Sequence, residues 1–219
     1  LPLTEAGFNV TAAVRPNTGY AHRSLHFAGS IWTTAGMNEV GLAMGMTGIP
    51  GPDIDDTGGY FSLDLLHRVL PECGTVDEAI RLLDSVRLRT YGFSLTLSDA
   101  DRRLAMVEKT GRGLVELPVD ADRGFLHTNH ILDHDFARLN PPQKEPIRSN
   151  GIRRYEHARE LVGGLPRTRA GAFEFLSDRS PNGAIRQKGE DGYRTDYSVV
   201  FHRGRMWVRG NGRFFETGV

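Results

Sequence analysis

The apolar periodicity of this chain changes character four times along its length, and that succession constrains the fold more than any single motif. Residues 8–15 alternate as a half-buried strand and stop at the turn cluster Pro16-Asn17-Thr18-Gly19. Strand character resumes over 22–32, and 32–37 with 41–47 read as third and fourth strands around a turn at Asn38. Phe61, Leu65, Leu66 and Val69 then recur at helical spacing until Pro71 stops the run. Thr75 followed by Glu78 is a capping box, opening a second helix with Val76, Ala79, Ile80 and Leu83 on its apolar face. Strands return at 93–98, 103–108 and 113–119, helices at 150–162 and 168–177, and a closing hairpin at 196–209. Strands, two helices, strands, two helices and strands predict an α+β fold, with helices covering a mostly antiparallel sheet. Neither a repeat nor a linker divides the chain, so residues 1–219 are read as one domain.

Composition removes several function classes. Lys and Arg total 27 and Asp and Glu total 27, which leaves no net charge to draw the chain to nucleic acid or an anionic membrane. No apolar run approaches the about 18 residues of a membrane span. A single cysteine, Cys73, excludes an intrachain disulfide framework and multi-cysteine zinc sites, and it suits a reducing cytoplasm, the location expected. Cys73 precedes the Thr75 cap but stands beside Glu72, which opposes a thiolate, so it reads as a small packed residue. No Gly-rich phosphate cradle occurs and no cofactor is expected. The basic positions Arg203, Arg205, Arg209 and Arg213 alternate with aromatic residues, as on a solvated hairpin face.

Chemistry is concentrated in two asparagines that end strand-like segments in short polar turns. Asn38 lies in Gly36-Met37-Asn38-Glu39-Val40-Gly41-Leu42 and Asn129 in His127-Thr128-Asn129-His130. Two carboxamide donors converging on one point would hold a developing oxyanion; both residues are equally at home as turn formers. The stretch from Gly48 to Gly59, rich in Gly, Pro and Asp, has the composition of a flap and directly follows the Asn38 hairpin. His127, His130 and His134, with Asp133 and Asp135, form the one cluster with metal-ligand chemistry. Its Asn and Asp content favours a polar turn, and a metal-dependent hydrolase stands as the alternative.

The run Ala35-Gly36-Met37-Asn38-Glu39-Val40-Gly41-Leu42-Ala43 resembles a segment of the choloylglycine hydrolase and penicillin acyl-CoA acyltransferase group of N-terminal-nucleophile hydrolases. Later landmarks follow in that family's order: the Thr75–Leu83 helix, Tyr91-Gly92-Phe93, Ala105–Glu108, Thr128-Asn129-His130, a Ser149 to Arg154-Tyr155 helix start and the hairpin at 197–208. The resemblance implies a four-layer αββα sandwich and cleavage or acyl transfer at a linear, non-peptide amide. Its expected partner is a small amide or acyl-thioester substrate, with neither metal nor organic cofactor. Asn38 and Asn129 would surround the reacting centre, and Arg154, or its neighbour Arg153, would orient it.

The same resemblance implies an N-terminal cysteine whose own α-amino group acts as base. This chain begins Leu1-Pro2-Leu3-Thr4 and aligns after that segment, so it is expected to lack its own attacking group. A companion chain carrying the nucleophile, or a homo-oligomer, is the expectation that follows. The non-enzyme alternative is a homologue whose cleft only binds an acyl or amide ligand.

Overall fold

The computed structural model describes residues 9–27, 29–49, 58–119, 124–140, 146–184, 195, 197–210 and 213–218. Seven strands form one antiparallel sheet in chain order: β1 (Asn9–Val14), β2 (His22–Phe27), β3 (Ala35–Asn38), β4 (Ala43–Ile49), β5 (Gly92–Ser98), β6 (Leu104–Thr110) and β7 (Gly113–Leu117). Between β4 and β5 the chain forms α1 (Ser62–Glu72) and α2 (Val76–Asp84). After β7 come α3 (Pro146–Leu161) and α4 (Arg169–Phe175), then β8 (Tyr197–His202), β9 (Arg205–Gly210) and β10 (Arg213–Gly218). The last three make a second antiparallel sheet with β9 in the middle.

Alternation along the strands sorts residues into four layers. Met44 of β4, Phe93, Leu95 and Leu97 of β5, and Ala105 and Val107 of β6 pack against Leu65, Leu66 and Val69 of α1 and Val76, Ala79 and Leu83 of α2. On the opposite face, Leu25 and Ala35 meet Met206 and Val208 of the second sheet. Trp207, between those two residues, faces the other way and lies under the Arg169 guanidinium of α4 at 5.2 Å. The order is helices, large sheet, small sheet, helix: the αββα sandwich expected. Gly36 is required where α1 crosses β3, because a Cβ there would lie 2.6 Å from Leu70 Cδ1 and 2.5 Å from the Arg23 carbonyl oxygen.

Three local expectations are corrected. α1 continues through Pro71 to Glu72; a proline in a last turn removes one hydrogen bond without breaking the turns before it. The segment 32–34 precedes β3 rather than belonging to it. The C-terminal hairpin gains a third strand, β10, paired in register with β9 from Arg213 opposite Gly210 to Gly218 opposite Arg205. No helix among the described residues is long and apolar enough to cross a membrane.

Candidate active site

On the small-sheet side of the large sheet, consecutive transverse rows of paired residues make a floor. One row is Gly45, Thr96, Met106 and Leu117; the next is Thr47, Ser94, Glu108 and Val115. Glu108 is fully buried, which for a carboxylate requires donors on all sides. It has three. Oε1 accepts from His127 Nε2 at 2.7 Å and from the Leu132 backbone N–H at 2.7 Å, and Oε2 accepts from the Asp133 N–H at 3.0 Å. These contacts grip the chain on both sides of Thr128–Ile131, so β6 fixes the turn that carries Asn129. Ile131 then packs with Ile49 at the end of β4 and with Leu139.

α3 holds the same turn from above. Thr128 Oγ1 donates to the Gly151 carbonyl at 2.8 Å. Having one proton, it must accept from His130 Nδ1, 3.0 Å away. The His130 ring stands edge-on to Tyr155, with centroids 5.5 Å apart. Arg154 donates through Nε to Asn150 Oδ1 at 2.8 Å and through Nη2 to Asn129 Oδ1 at 2.6 Å. Arginine only donates, so the Asn129 amide is oriented by chemistry: oxygen toward Arg154, nitrogen toward the Gly48 carbonyl, which it reaches at 3.0 Å. The Asn129 nitrogen carries a second N–H beyond the one given to Gly48, and the residue is only half-buried. The amide is thus held at both ends, and its second N–H has no acceptor among the described residues. Arg153, the other candidate in the register, is exposed.

Asn38 does not join this constellation. It is buried on the α1 face of β3, where Nδ2 donates to the Leu70 carbonyl at 2.9 Å and the Cys73 carbonyl at 2.7 Å. Its Oδ1 accepts from the Leu42 N–H at 2.9 Å. Both N–H groups are spent on closing the C-terminal turn of α1, and none is left for a ligand. Asn38 bonds at Leu42 and Asn129 at Gly48, six residues apart along the chain, or about 20 Å of strand, and on opposite faces of the sheet. The expected convergence of two amides is therefore corrected: Asn38 is a helix buttress, and Asn129 is held apart from it at the far end of β4.

The metal reading of the histidine cluster is corrected too. Both ring nitrogens of His127 face acceptors, Glu108 and the Thr128 carbonyl, and His134 is fully exposed. Among the described residues no three His, Cys, Asp or Glu side chains are placed to hold a metal ion. Of the Gly48–Gly59 flap, residues 50–57 lie outside the described residues. Its first two residues, Gly48 and Ile49, end β4, and the Gly48 carbonyl accepts from Asn129 rather than from Asn38. Cys73 is buried between α1 and α2, and that burial, with Glu72 and Glu78 nearby, pushes its thiol up to about 11.

A cavity of about 440 Å³ separates the sheets, floored by Gly45, Thr47 and Thr96 and roofed by Tyr197 and Val199. Its lining along β4 runs from Ala43 to Thr47, the residue before Gly48, whose carbonyl anchors Asn129. Glu108, the residue that organises this end, is one that sequence reasoning passed over as part of an ordinary strand. The signal available was a carboxylate closing the otherwise apolar run Ala105-Met106-Val107.

Comparison with known proteins agrees with this architecture. A variant of the conjugated bile acid hydrolase from Clostridium perfringens superposes with a TM-score of 0.57 at 16% identity, over 96% of this chain and 82% of that one. The Caenorhabditis elegans ortholog of N-acylethanolamine-hydrolyzing acid amidase gives 0.54 at 14% identity, with the same coverages. At such identities the likeness shows the fold, that of N-terminal-nucleophile hydrolases. No match is found among curated protein sequences. The sequence model of one family matches residues 6–196, and the chain belongs to that family, the acyl-coenzyme A:6-aminopenicillanic acid acyltransferases.

Proposed function

We propose that this protein contributes the oxyanion side of a site that cleaves, or transfers the acyl group of, linear non-peptide amides by attack of an N-terminal cysteine thiol. The observation that carries the reading is the Asn129 amide, fixed between Arg154 and the Gly48 carbonyl with one N–H that has no acceptor among the described residues. The thiol attacks the substrate carbonyl and its own α-amino group takes the proton. The oxyanion that forms accepts from Asn129, and the amine leaves with the proton returned. Cys73 is not that thiol, because it is buried in the helix layer across the sheet and held protonated. The attacking cysteine therefore comes from outside these 219 residues, on a companion chain or a preceding segment, and meets the substrate in the cleft between the sheets. The substrate is a small amide or acyl thioester, and residues 1–219 act as one domain.

The test is turnover of a panel of linear acyl amides by the 219-residue chain, alone and joined to a cysteine-headed family segment. The chain alone is expected to be inactive and the joined protein active, with iodoacetamide abolishing activity. Turnover by the chain alone that persists in Cys73→Ser would place the nucleophile elsewhere and overturn the reading.

A further inference from the structure

A second cavity, of about 370 Å³, lies under α3 against β6 and β7. We propose that it binds a medium-chain carboxylate, the chain among its apolar walls and the anionic end on Arg159. The walls include Met106, Phe125, Leu126, Leu132 and Tyr155, and among the described lining residues the one charged side chain is Arg159. Tyr155 and Arg159 are four residues apart on α3, and Val162 continues the same line just beyond it. The Arg159 guanidinium lies 5.7 Å from the Tyr155 ring centroid. A guanidinium over a ring keeps its in-plane N–H donors directed outward, where a carboxylate can take two of them. Arg159 is exposed at the mouth and forms no ion pair with a carboxylate among the described residues; Glu156 and Glu160, its neighbours on α3, are exposed and do not line the cavity.

Charge beyond the mouth has the same sign. Through Gly124 and Val162 the cavity adjoins another, of about 500 Å³, whose charged side chains among the described lining residues are Arg167 and Arg169, with His202 beside them. Among the described residues lining these two adjoining cavities, every charged side chain is basic. Met, Leu, Phe and Tyr side chains within and a guanidinium at the mouth suit an amphipathic anion. The volume stands near the lower end of the roughly 300–1,000 Å³ of small-molecule sites, which calls for a short chain.

This inference does not rest on the amide chemistry proposed above. The two meet in one respect: hydrolysis of an acyl amide releases a carboxylate bearing the acyl chain, and Tyr155 follows Arg154 on α3.

The experiment is calorimetric titration of the 219-residue chain with hexanoate, octanoate, decanoate and decanol. Each added methylene is expected to tighten binding about three- to fourfold until the cavity is filled. Arg159→Gln, at an exposed position, should weaken decanoate about tenfold or more and leave decanol unchanged. Val162→Trp, which narrows the cavity from a half-buried position, should weaken both. Failure of decanoate to bind, absence of a chain-length trend, or decanoate affinity indifferent to Arg159→Gln would each overturn the proposal. Because the readout is binding, these outcomes are independent of whether amide turnover is found.

Discussion

Arg154 on α3 and Asn129, 25 residues earlier in a turn, are joined by a 2.6 Å hydrogen bond that decides which way the carboxamide points. With the Gly48 carbonyl accepting from Nδ2 at the other end, the guanidinium fixes the oxygen of the carboxamide. In the reading proposed above, Asn129 is the donor and Arg154 the group that orients it.

Arg154→Lys should be far from conservative. A lysine supplies the charge but not the two-pronged hold on Asn150 and Asn129. Loss of one charge-assisted bond of about 1.5–3 kcal/mol predicts a fall in kcat/KM of roughly 10- to 150-fold in the thiol-supplied enzyme. Unaltered kinetics would show that the amide is oriented by something else.

Asn38→Ala should act on stability. It strands the Leu70 and Cys73 carbonyls and the Leu42 N–H in a buried seam, at a cost of about 2–4 kcal/mol. Urea unfolding should show a lower midpoint with an unchanged slope. A midpoint equal to that of the parent protein would mean that α1 does not depend on this buttress.

Glu108→Ala should release the turn while sparing the sheet. The Leu132 and Asp133 amides lose their acceptor, so their hydrogen exchange should accelerate. Amides within the β5–β6 ladder should keep their protection. Equal protection of Leu132 and Asp133 in parent and variant would remove Glu108 from its positioning role.

Acid should destabilise the seam between α1 and β2. His22 and His26 are buried there, and burial, followed at some remove by repulsion from His67, lowers both below the ordinary value of 6.5. Their backbone contacts oppose the shift without cancelling it. The folded protein therefore keeps these rings neutral where the unfolded chain already binds protons. Their contribution is fully present above about pH 6.5 and is lost as pH falls from there toward the lowered folded values. Comparing unfolding free energies at pH 7.5 and 5.5 for the parent and for His26→Asn checks this: the variant should show the shallower loss.

Local pattern made most of the fold legible, because periodicity and caps are local. The Thr75–Glu78 capping box is present as read, and Val76, Ala79 and Leu83 face the core. β10 lies beyond the hairpin read at 196–209 and pairs with β9. The two asparagines could not be told apart by the same means. What separates them is how many N–H groups remain unspent, and that depends on carbonyls 32 and 35 residues away for Asn38 and 81 residues away for Asn129. Arg154 was singled out by family order, while its partner Asn150 and the carboxylate of Glu108 became visible only when β6, α3 and the turn met.

The most direct test compares Asn129→Ala with Asn38→Ala in the thiol-supplied enzyme, measuring kcat on a linear amide at a temperature where both remain folded. The account predicts that Asn129→Ala lowers kcat by roughly 10²- to 10³-fold, as expected for loss of one oxyanion donor, while Asn38→Ala leaves it near the parent value. A normal kcat for Asn129→Ala, or an equal collapse in folded Asn38→Ala, would contradict it.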